Sequence, residues 1–326
     1  MGRKLDILIP QYNEADDIVK TLLDSIEIQQ LIDFDEVSVF ICNDGSDVLL
    51  SEEMLNRYSF WIKYVKEPHR GVSAARNKLL SISSADYVMF CDADDMFFSA
   101  LGLWEVFRAI DAGFDVLCSD FLEEVVDEKT TIHDIDIHEN DSIFIHGKVF
   151  RRGYLVEQGI RFEERLCINE DSYFVSLCLN LTDKIAYIST PFYIWKYRKD
   201  SVSHKNDTFV FEALQTLMVS NGLLLEDLQK RQADKNAFVY AAQLIFSVYY
   251  ALTDPKNLER SVKDHRNAVL SDFSKWFRKH GWLWDSVSVY DKSFLLSKLE
   301  SNIGIKKAED EVSEINTFLD REKIRP

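Results

Sequence analysis

The 326-residue sequence has few of the residues that mark secreted or membrane-spanning chains. It contains no apolar run of the roughly 18 residues that a membrane span needs. We expect no signal peptide either, because the first four residues lead directly into a strand. The five cysteines are odd in number and lack CxxC spacing, which predicts reduced thiols and a cytoplasmic location. They are Cys42, Cys91, Cys118, Cys167 and Cys178.

Positive charge is also scarce: 38 Lys and Arg residues face 55 Asp and Glu residues, for a formal charge of −17. This balance argues against a broad surface for nucleic-acid phosphates or anionic lipids, so we expect no nucleic-acid partner. A small anionic ligand held by a few basic side chains or by a metal stays open. Hydrophobic residues make up 46% of the chain and aromatic residues 13%, which excludes general disorder.

Up to about residue 206, short apolar strands alternate with amphipathic helices, which predicts a mainly parallel α/β sheet flanked by helices. The predicted strands are 5–10, 36–44, 61–67, 86–92 and 115–125, and the predicted helices between them are 14–29, 71–83 and 101–113. Three strands end in polar clusters, Pro10-Gln11-Tyr12-Asn13-Glu14, Asn43-Asp44-Gly45-Ser46 and Asp92-Ala93-Asp94-Asp95. Ligands gather beyond the carboxyl ends of such strands, so we expect these clusters to meet at one rim.

From residue 207 to 326 the pattern becomes helical and poor in glycine. We expect a C-terminal helical subdomain there, behind an α/β domain of residues 1–206. Its role would be packing, acceptor binding, or association with a second copy or a membrane surface.

The stretch FCDADD, residues 90–95, places three carboxylates within four residues after a predicted strand. Asp92, Asp94 and Asp95 would repel one another unless a positive charge lay between them. Mg²⁺ or Mn²⁺ prefers such oxygen ligands and keeps positions open for phosphate. The alternative is that these residues cap the next turn.

Five motifs in order bring a family into view: ILIPQYNEADDIVKTLLDSI, VFICNDGSD, GVSAARNKLL, VMFCDADD and NEDSYF. Together they resemble an inverting glycosyltransferase of family 2 with the GT-A (Rossmann-like) fold, over about residues 5–205. The resemblance implies a nucleotide-diphosphate-sugar donor, a divalent cation, and transfer to an acceptor hydroxyl with inversion at the anomeric carbon.

The resemblance also implies roles for individual residues. Asp44 would accept the N–H of a base, typically uracil, and Asp92 would bind the ribose. Asp94 would bind the metal, and Asp95 would be a second ligand or a cap. The first-strand motif would line the nucleoside pocket, and one arginine would contact nucleotide or phosphate; these residues are Pro10, Tyr12, Glu14 and Arg76.

A general base must stand opposite the leaving diphosphate, and CINEDSYF offers the candidates. The second acid of this Glu-Asp pair is the usual base in the family, so Asp171 is the predicted base, with Glu170 beside it. Asn169 would help to orient the acceptor. The alternative is that both acids merely open a helix, where carboxylates are favoured.

Two further stretches carry weaker signals. We expect His146 and Lys148 to face the sugar or the acceptor; the alternative is a plain surface position. A later segment resembles one that closes over the diphosphate, excluding water. Its candidates are Lys196, Arg198 and Ser203, with His204 as either a metal ligand or a structural residue.

Three other functions compete with this one. A sugar-nucleotide-binding module would need no base, and a retaining enzyme would not need the Glu-Asp pair. A nucleotidyltransferase would normally carry a Gly-rich loop where this chain has PQYNEADD. We expect a UDP-sugar donor and an acceptor in a cell-surface glycan, a teichoic-acid-like polymer or a glycolipid.

Overall fold

The computed structural model of the chain describes residues 3–126, 130–135, 143–197, 209–258, 263–299 and 305–325. The chain divides into two compact units, Met1–Ser201 and Val202–Pro326. The first unit contains the sheet, and the second is helical.

The sheet of the first unit has the order β3-β2-β1-β4-β8-β6-β9-β5, and β7 pairs with β6. The strands in its described residues are β1 Leu5–Gln11, β2 Val37–Asp44, β3 Trp61–Glu67, β4 Tyr87–Phe90, β5 Met96–Phe97, β6 Val116–Val126, β7 Thr130–Ile135, β8 Lys148–Arg151 and β9 Ile185–Trp195. The half from β3 to β4 is parallel throughout. In the other half, β8 runs antiparallel to both its neighbours, while β9 is parallel to β6.

The parallel half produces the predicted rim. All residues of β1, β2 and β4 are buried, as expected for apolar strands covered on both faces. In β1, Leu8 pairs with Phe90 of β4 and Gln11 pairs with Asn43 of β2. The polar residues that follow these three strands therefore lie at the same edge.

Helices connect the strands of the first unit. They are α1 Asp16–Glu27, α2 Glu52–Leu55, α3 Val72–Ile82, α4 Gly102–Ile110, α5 Arg152–Glu157 and α6 Glu170–Asn180. Helix α3 follows Gly71, whose φ of 93° suits glycine, and α6 follows Asn169, which has a φ of 64°. Asn is among the few other residues that adopt such a backbone readily.

A cluster of phenylalanines packs α6 onto the sheet. The rings of Phe162 and Phe174 are parallel with centroids 4.0 Å apart, and Phe174 also contacts Phe90 of β4 at 5.7 Å and Phe150 of β8 at 5.3 Å. Because α6 begins at the predicted Glu-Asp pair, this cluster fixes the position of both acids against the rim.

The second unit consists of helices, as the sequence predicts. They are α7 Phe209–Lys230, α8 Ala237–Thr253, α9 Lys263–His280, α10 Trp282–Asp285, α11 Val289–Leu299 and α12 Ile305–Arg321. Their shared core includes Phe246, Trp284 and Phe273. In the part of the chain that the structure describes, no helix has both the length and the hydrophobicity to cross a membrane.

Phe174→Ala should lower the free energy of unfolding of the first unit by about 3–5 kcal/mol, because it leaves a cavity between α6 and the sheet. Phe98→Ala is the control, since Phe98 is 57% exposed and its loss creates no cavity. Chemical denaturation followed by circular dichroism measures both. Equal effects of the two variants would contradict this packing.

Candidate active site

The predicted nucleoside residues lie together at the rim. Tyr12 and Glu14 follow the buried Pro10 of β1, and the Glu14 Oε2 accepts a hydrogen bond of 2.6 Å from the Tyr12 N–H. Asp44 ends the neighbouring strand, and its side chain is only 5% exposed. The structure thus brings the first two motifs side by side.

The Asp44 carboxylate holds the start of α3. Oδ1 accepts a bond of 2.8 Å from the Arg70 N–H, and Oδ2 accepts one of 2.9 Å from the Gly71 N–H. His69 Nδ1 lies 2.9 Å from Oδ2. A carboxylate is favoured at this point by the partial positive charge of the helix N-terminus. The predicted contact of Asp44 with a base stays a prediction.

Arg76 forms ion pairs with the carboxylates of three predicted site residues. Its side chain, on α3, is 2% exposed, and one terminal nitrogen donates to Asp171 Oδ1 at 2.5 Å and to Glu170 Oε1 at 3.0 Å. The other donates to Asp92 Oδ1 at 2.8 Å. The ring of Phe162 lies 5.2 Å from the guanidinium carbon. Both terminal nitrogens that would contact a nucleotide are bonded to the protein.

Because the single cation Arg76 contacts three carboxylates, the pKa values of Asp171 and Asp92 shift in opposite directions. Burial raises the pKa of Asp171 to about 8; Arg76 opposes this effect, while Glu170 and Asp92 add to it by repulsion. Burial also works against the charge of Asp92, but Arg76 outweighs it and lowers the pKa of Asp92. Asp92 therefore favours its ionised form, whereas Asp171 holds a proton far more readily than an ordinary carboxylate.

Asp92, Asp95 and His146 form a candidate cation site, with one ligand atom from each lying within 4.8 Å of the others. His146 Nδ1 is 3.8 Å from Asp95 Oδ2 and has no hydrogen-bond partner among the described residues. Burial lowers the pKa of His146 to about 4, so its ring is uncharged at neutral pH and one ring nitrogen keeps a lone pair for a metal ion. Two carboxylates and a neutral imidazole fit a divalent cation such as Mn²⁺.

The end of β9 supports this site. The Tyr193 hydroxyl donates to Asp95 Oδ2 at 2.6 Å and accepts from the Asp92 N–H at 3.1 Å. The Lys196 N–H donates to Asp95 Oδ1 at 2.9 Å. The His146 ring stacks on Tyr193 and Trp195, with centroids at 5.3 and 5.5 Å. Burial raises the pKa of Asp95 well above its usual value, and Asp92 and Asp94 add to that effect.

The other predicted residues fall in three positions. Asn169 turns the chain into α6, which places both acids in its first turn. Lys148 is fully buried and donates to the Phe144 carbonyl at 2.6 Å, so it lies below the surface of the site. Asp94 is half-buried, next to Asp95. Three residues lie outside the described part of the chain: Arg198, Ser203 and His204.

Sequence reasoning missed three residues of the site. Asn77, next to Arg76, exchanges two hydrogen bonds of 3.0 Å with the backbone of Phe162 and so fixes the segment before α6. Its place in the AARN motif was a usable signal. Tyr193 lies in an apolar strand and His69 in a short polar loop, so neither carried a chemical pattern.

The sequence model of glycosyl transferase family 2 matches residues 6–170, just over half of the chain. The chain belongs to this family and is a glycosyltransferase. The family resemblance read from the five motifs is thereby confirmed.

The similarity to two curated relatives extends beyond residues 6–170 of this chain. The cholesterol galactosyltransferase of Borreliella burgdorferi is 24% identical over 82% of this chain and 83% of its own length. The poly(ribitol-phosphate) beta-glucosyltransferase of Bacillus spizizenii is 24% identical over 84% of this chain and 44% of its own length. The chain spans 31% of the length of another curated glycosyltransferase, from Streptococcus pneumoniae.

Among solved structures, S. aureus TarS 1-349 in complex with UDP-GlcNAc matches with a TM-score of 0.67. The match covers 95% of this chain and 90% of that one, at 17% sequence identity. At that identity the likeness shows the fold, and it confirms the predicted GT-A fold with its C-terminal helices.

Asp171→Asn should raise the thermal midpoint at pH 8 by at least about 2 °C. The folded pKa of Asp171 is raised, so its contribution to stability is present below pH 4 and is lost as the pH rises to about 8. The advantage of the variant should therefore grow across this range. Scanning calorimetry from pH 4 to 8 measures it.

Asp92→Asn is the matched control for this measurement. The pKa of Asp92 is lowered, so its charge stabilises the fold above about pH 4, and the variant should melt lower than the wild type at pH 8. Destabilisation of the same size by both variants would show that the carboxylates do not differ as described.

Proposed function

We propose that the protein transfers a sugar from a UDP-sugar to an acceptor hydroxyl, with inversion at the anomeric carbon and Asp171 as general base. The observation that carries the proposal is the shared guanidinium of Arg76, which binds Asp171 on one side and Asp92 on the other. In this proposal the two carboxylates on either side of Arg76 would serve as the proton acceptor and as a donor-side group.

In the proposed step, the acceptor oxygen forms a bond to the anomeric carbon while the bond from that carbon to the diphosphate breaks. The acceptor's proton passes to an Asp171 carboxylate oxygen and leaves later to solvent. Asp171 is favoured over Glu170 because its side chain is 21% exposed, against 12%, and its pKa is raised to about 8. A base of such pKa is well matched to neutral pH.

Asp92, Asp95 and His146 would hold a divalent cation, with Asp94 beside them. When bound, the cation would neutralise charge that develops on the leaving diphosphate. The imidazole favours Mn²⁺ over Mg²⁺, which prefers oxygen ligands alone. Tyr193 then acts as a support, because its hydroxyl bonds both the Asp95 carboxylate and the Asp92 backbone.

The proposals for the donor and for the acceptor rest on different observations. TarS was crystallised with UDP-GlcNAc, and the Tyr12 and Asp44 rim suits a uracil base. The two relatives are named for cholesterol and for poly(ribitol phosphate). We therefore propose a hydroxyl of a cell-surface glycan, a teichoic-acid-like polymer or a glycolipid as acceptor, with acceptor binding, packing or oligomerisation as the role of residues 207–326. The five free cysteines support a cytoplasmic reaction.

Asp171→Asn should lower sugar transfer by about 10²-fold or more, the usual scale for loss of a general base. Its affinity for UDP should stay within about twofold of the wild type, since Asp171 does not contact the nucleotide in this mechanism. Calorimetry with UDP and a transfer assay over UDP-sugars and acceptors give both values. The anomeric proton coupling of the product should show inversion, and either full transfer by the variant or a retained configuration would refute this mechanism.

His146→Gln should weaken Mn²⁺ binding at least about tenfold, because it removes the imidazole ligand. His280→Gln is the control, since His280 is also buried but lies in the second unit. Calorimetric titration of each chelator-treated protein with Mn²⁺ in the presence of UDP measures the affinity. Wild-type affinity in His146→Gln would mean that the carboxylates hold the cation without this histidine.

A further inference from the structure

Two aromatic rings stack at the rim without belonging to the core. Tyr12 follows β1, His69 lies in the loop between β3 and α3, and their ring centroids are 4.3 Å apart with an interplanar angle of 21°. Tyr12 is 48% exposed, and the His69 side chain is 54% exposed. Both side chains therefore keep surface that a ligand can reach.

The His69 imidazole is held in one orientation. Its Nδ1 lies 2.9 Å from the Asp44 Oδ2 and 3.0 Å from the Asp44 carbonyl oxygen. Both of these atoms are acceptors, so Nδ1 carries a hydrogen whether the ring is neutral or charged. The ring plane is thus set by Asp44, the residue predicted to face the base.

The backbone of His69 is held as closely as its ring. Gly45, just after β2, has a φ of 71°, and a Cβ placed there would come within 2.5 Å of the His69 backbone nitrogen. The Arg70 and Gly71 N–H groups are bonded to the Asp44 carboxylate. His69 therefore cannot be displaced without disturbing the start of α3.

The position of the pair indicates which part of a donor it meets. In the sheet order β3-β2-β1-β4, Tyr12 follows β1 and His69 lies in the β3–α3 loop, whereas Asp92 and Asp95 of the candidate cation site follow β4. If the diphosphate of a bound donor lies near the cation, its nucleoside would lie on the side of β2 and β3. Nucleobases of every kind are planar and can stack on exposed aromatic rings.

We propose, on the basis of the proposed function, that His69 is a donor-binding residue whose ring forms with Tyr12 the platform for the uracil base. Asp44 then has two tasks. Its Oδ2 accepts from Gly71 and His69, while Oδ1 accepts only from Arg70 among the described residues and keeps a lone pair for a base N–H.

His69→Ala should weaken UDP binding by about tenfold, the scale of a lost base–aromatic contact. His69→Phe keeps the ring and should bind UDP within about threefold of the wild type. Neither should change the affinity for inorganic pyrophosphate with Mn²⁺, which has no base. His133→Ala is the control, because His133 is an exposed histidine on β7, outside the rim strands. Isothermal titration measures all four proteins.

Wild-type UDP affinity in His69→Ala would overturn the inference while leaving the proposed function intact. Equal weakening in His69→Ala and His69→Phe would also overturn it, because the bond to Asp44 rather than the ring would then matter. No binding of UDP by the wild-type protein would instead overturn the proposed donor, and this inference with it.

Discussion

One ion-pair cluster organises the site: the buried Arg76 guanidinium between Asp92, Glu170 and Asp171. A buried cation without partners is very costly, and so is a buried carboxylate. The end of β4, helix α3 and helix α6 must therefore all be in place before all four of these charges are paired. The phenylalanines below α6 and the Asn77 bonds to the preceding segment serve the same requirement. The excess of negative charge that remains is what a cation and a proton would relieve.

The parallel half of the sheet was predictable because its strands are apolar and separated by amphipathic helices. The hydrophobic period changes at each boundary, and the predicted strand 61–67 has the observed bounds. The short antiparallel strand β8 was not predicted, because its four residues gain their stability from β4 and β6, far away in the chain. Pairing of that kind leaves no local pattern.

The same distinction holds within the site. Asp92 and Asp171 were found because each occurs in a motif at a strand or helix end. The ion pairs of Arg76 with Asp92, Glu170 and Asp171 were not predicted, because they depend on how α3 lies across the rim. His146 was predicted to face the sugar or acceptor, or else the surface; the structure buries it next to Asp95, in contact with rings from β9. Such neighbourhoods arise from tertiary packing alone.

Helix α3 has a geometrical consequence for how this chain can change. Asp44 holds the backbone at Gly71, and Arg76 lies five residues further along the same helix. At about 1.5 Å per residue, the helix sets a fixed separation of roughly 7.5 Å between these two positions. An inserted or deleted residue between them would turn Arg76 by about 100° around the helix axis, away from all three carboxylates. The number of residues between Gly71 and Arg76 is therefore constrained by the two contacts that the helix connects.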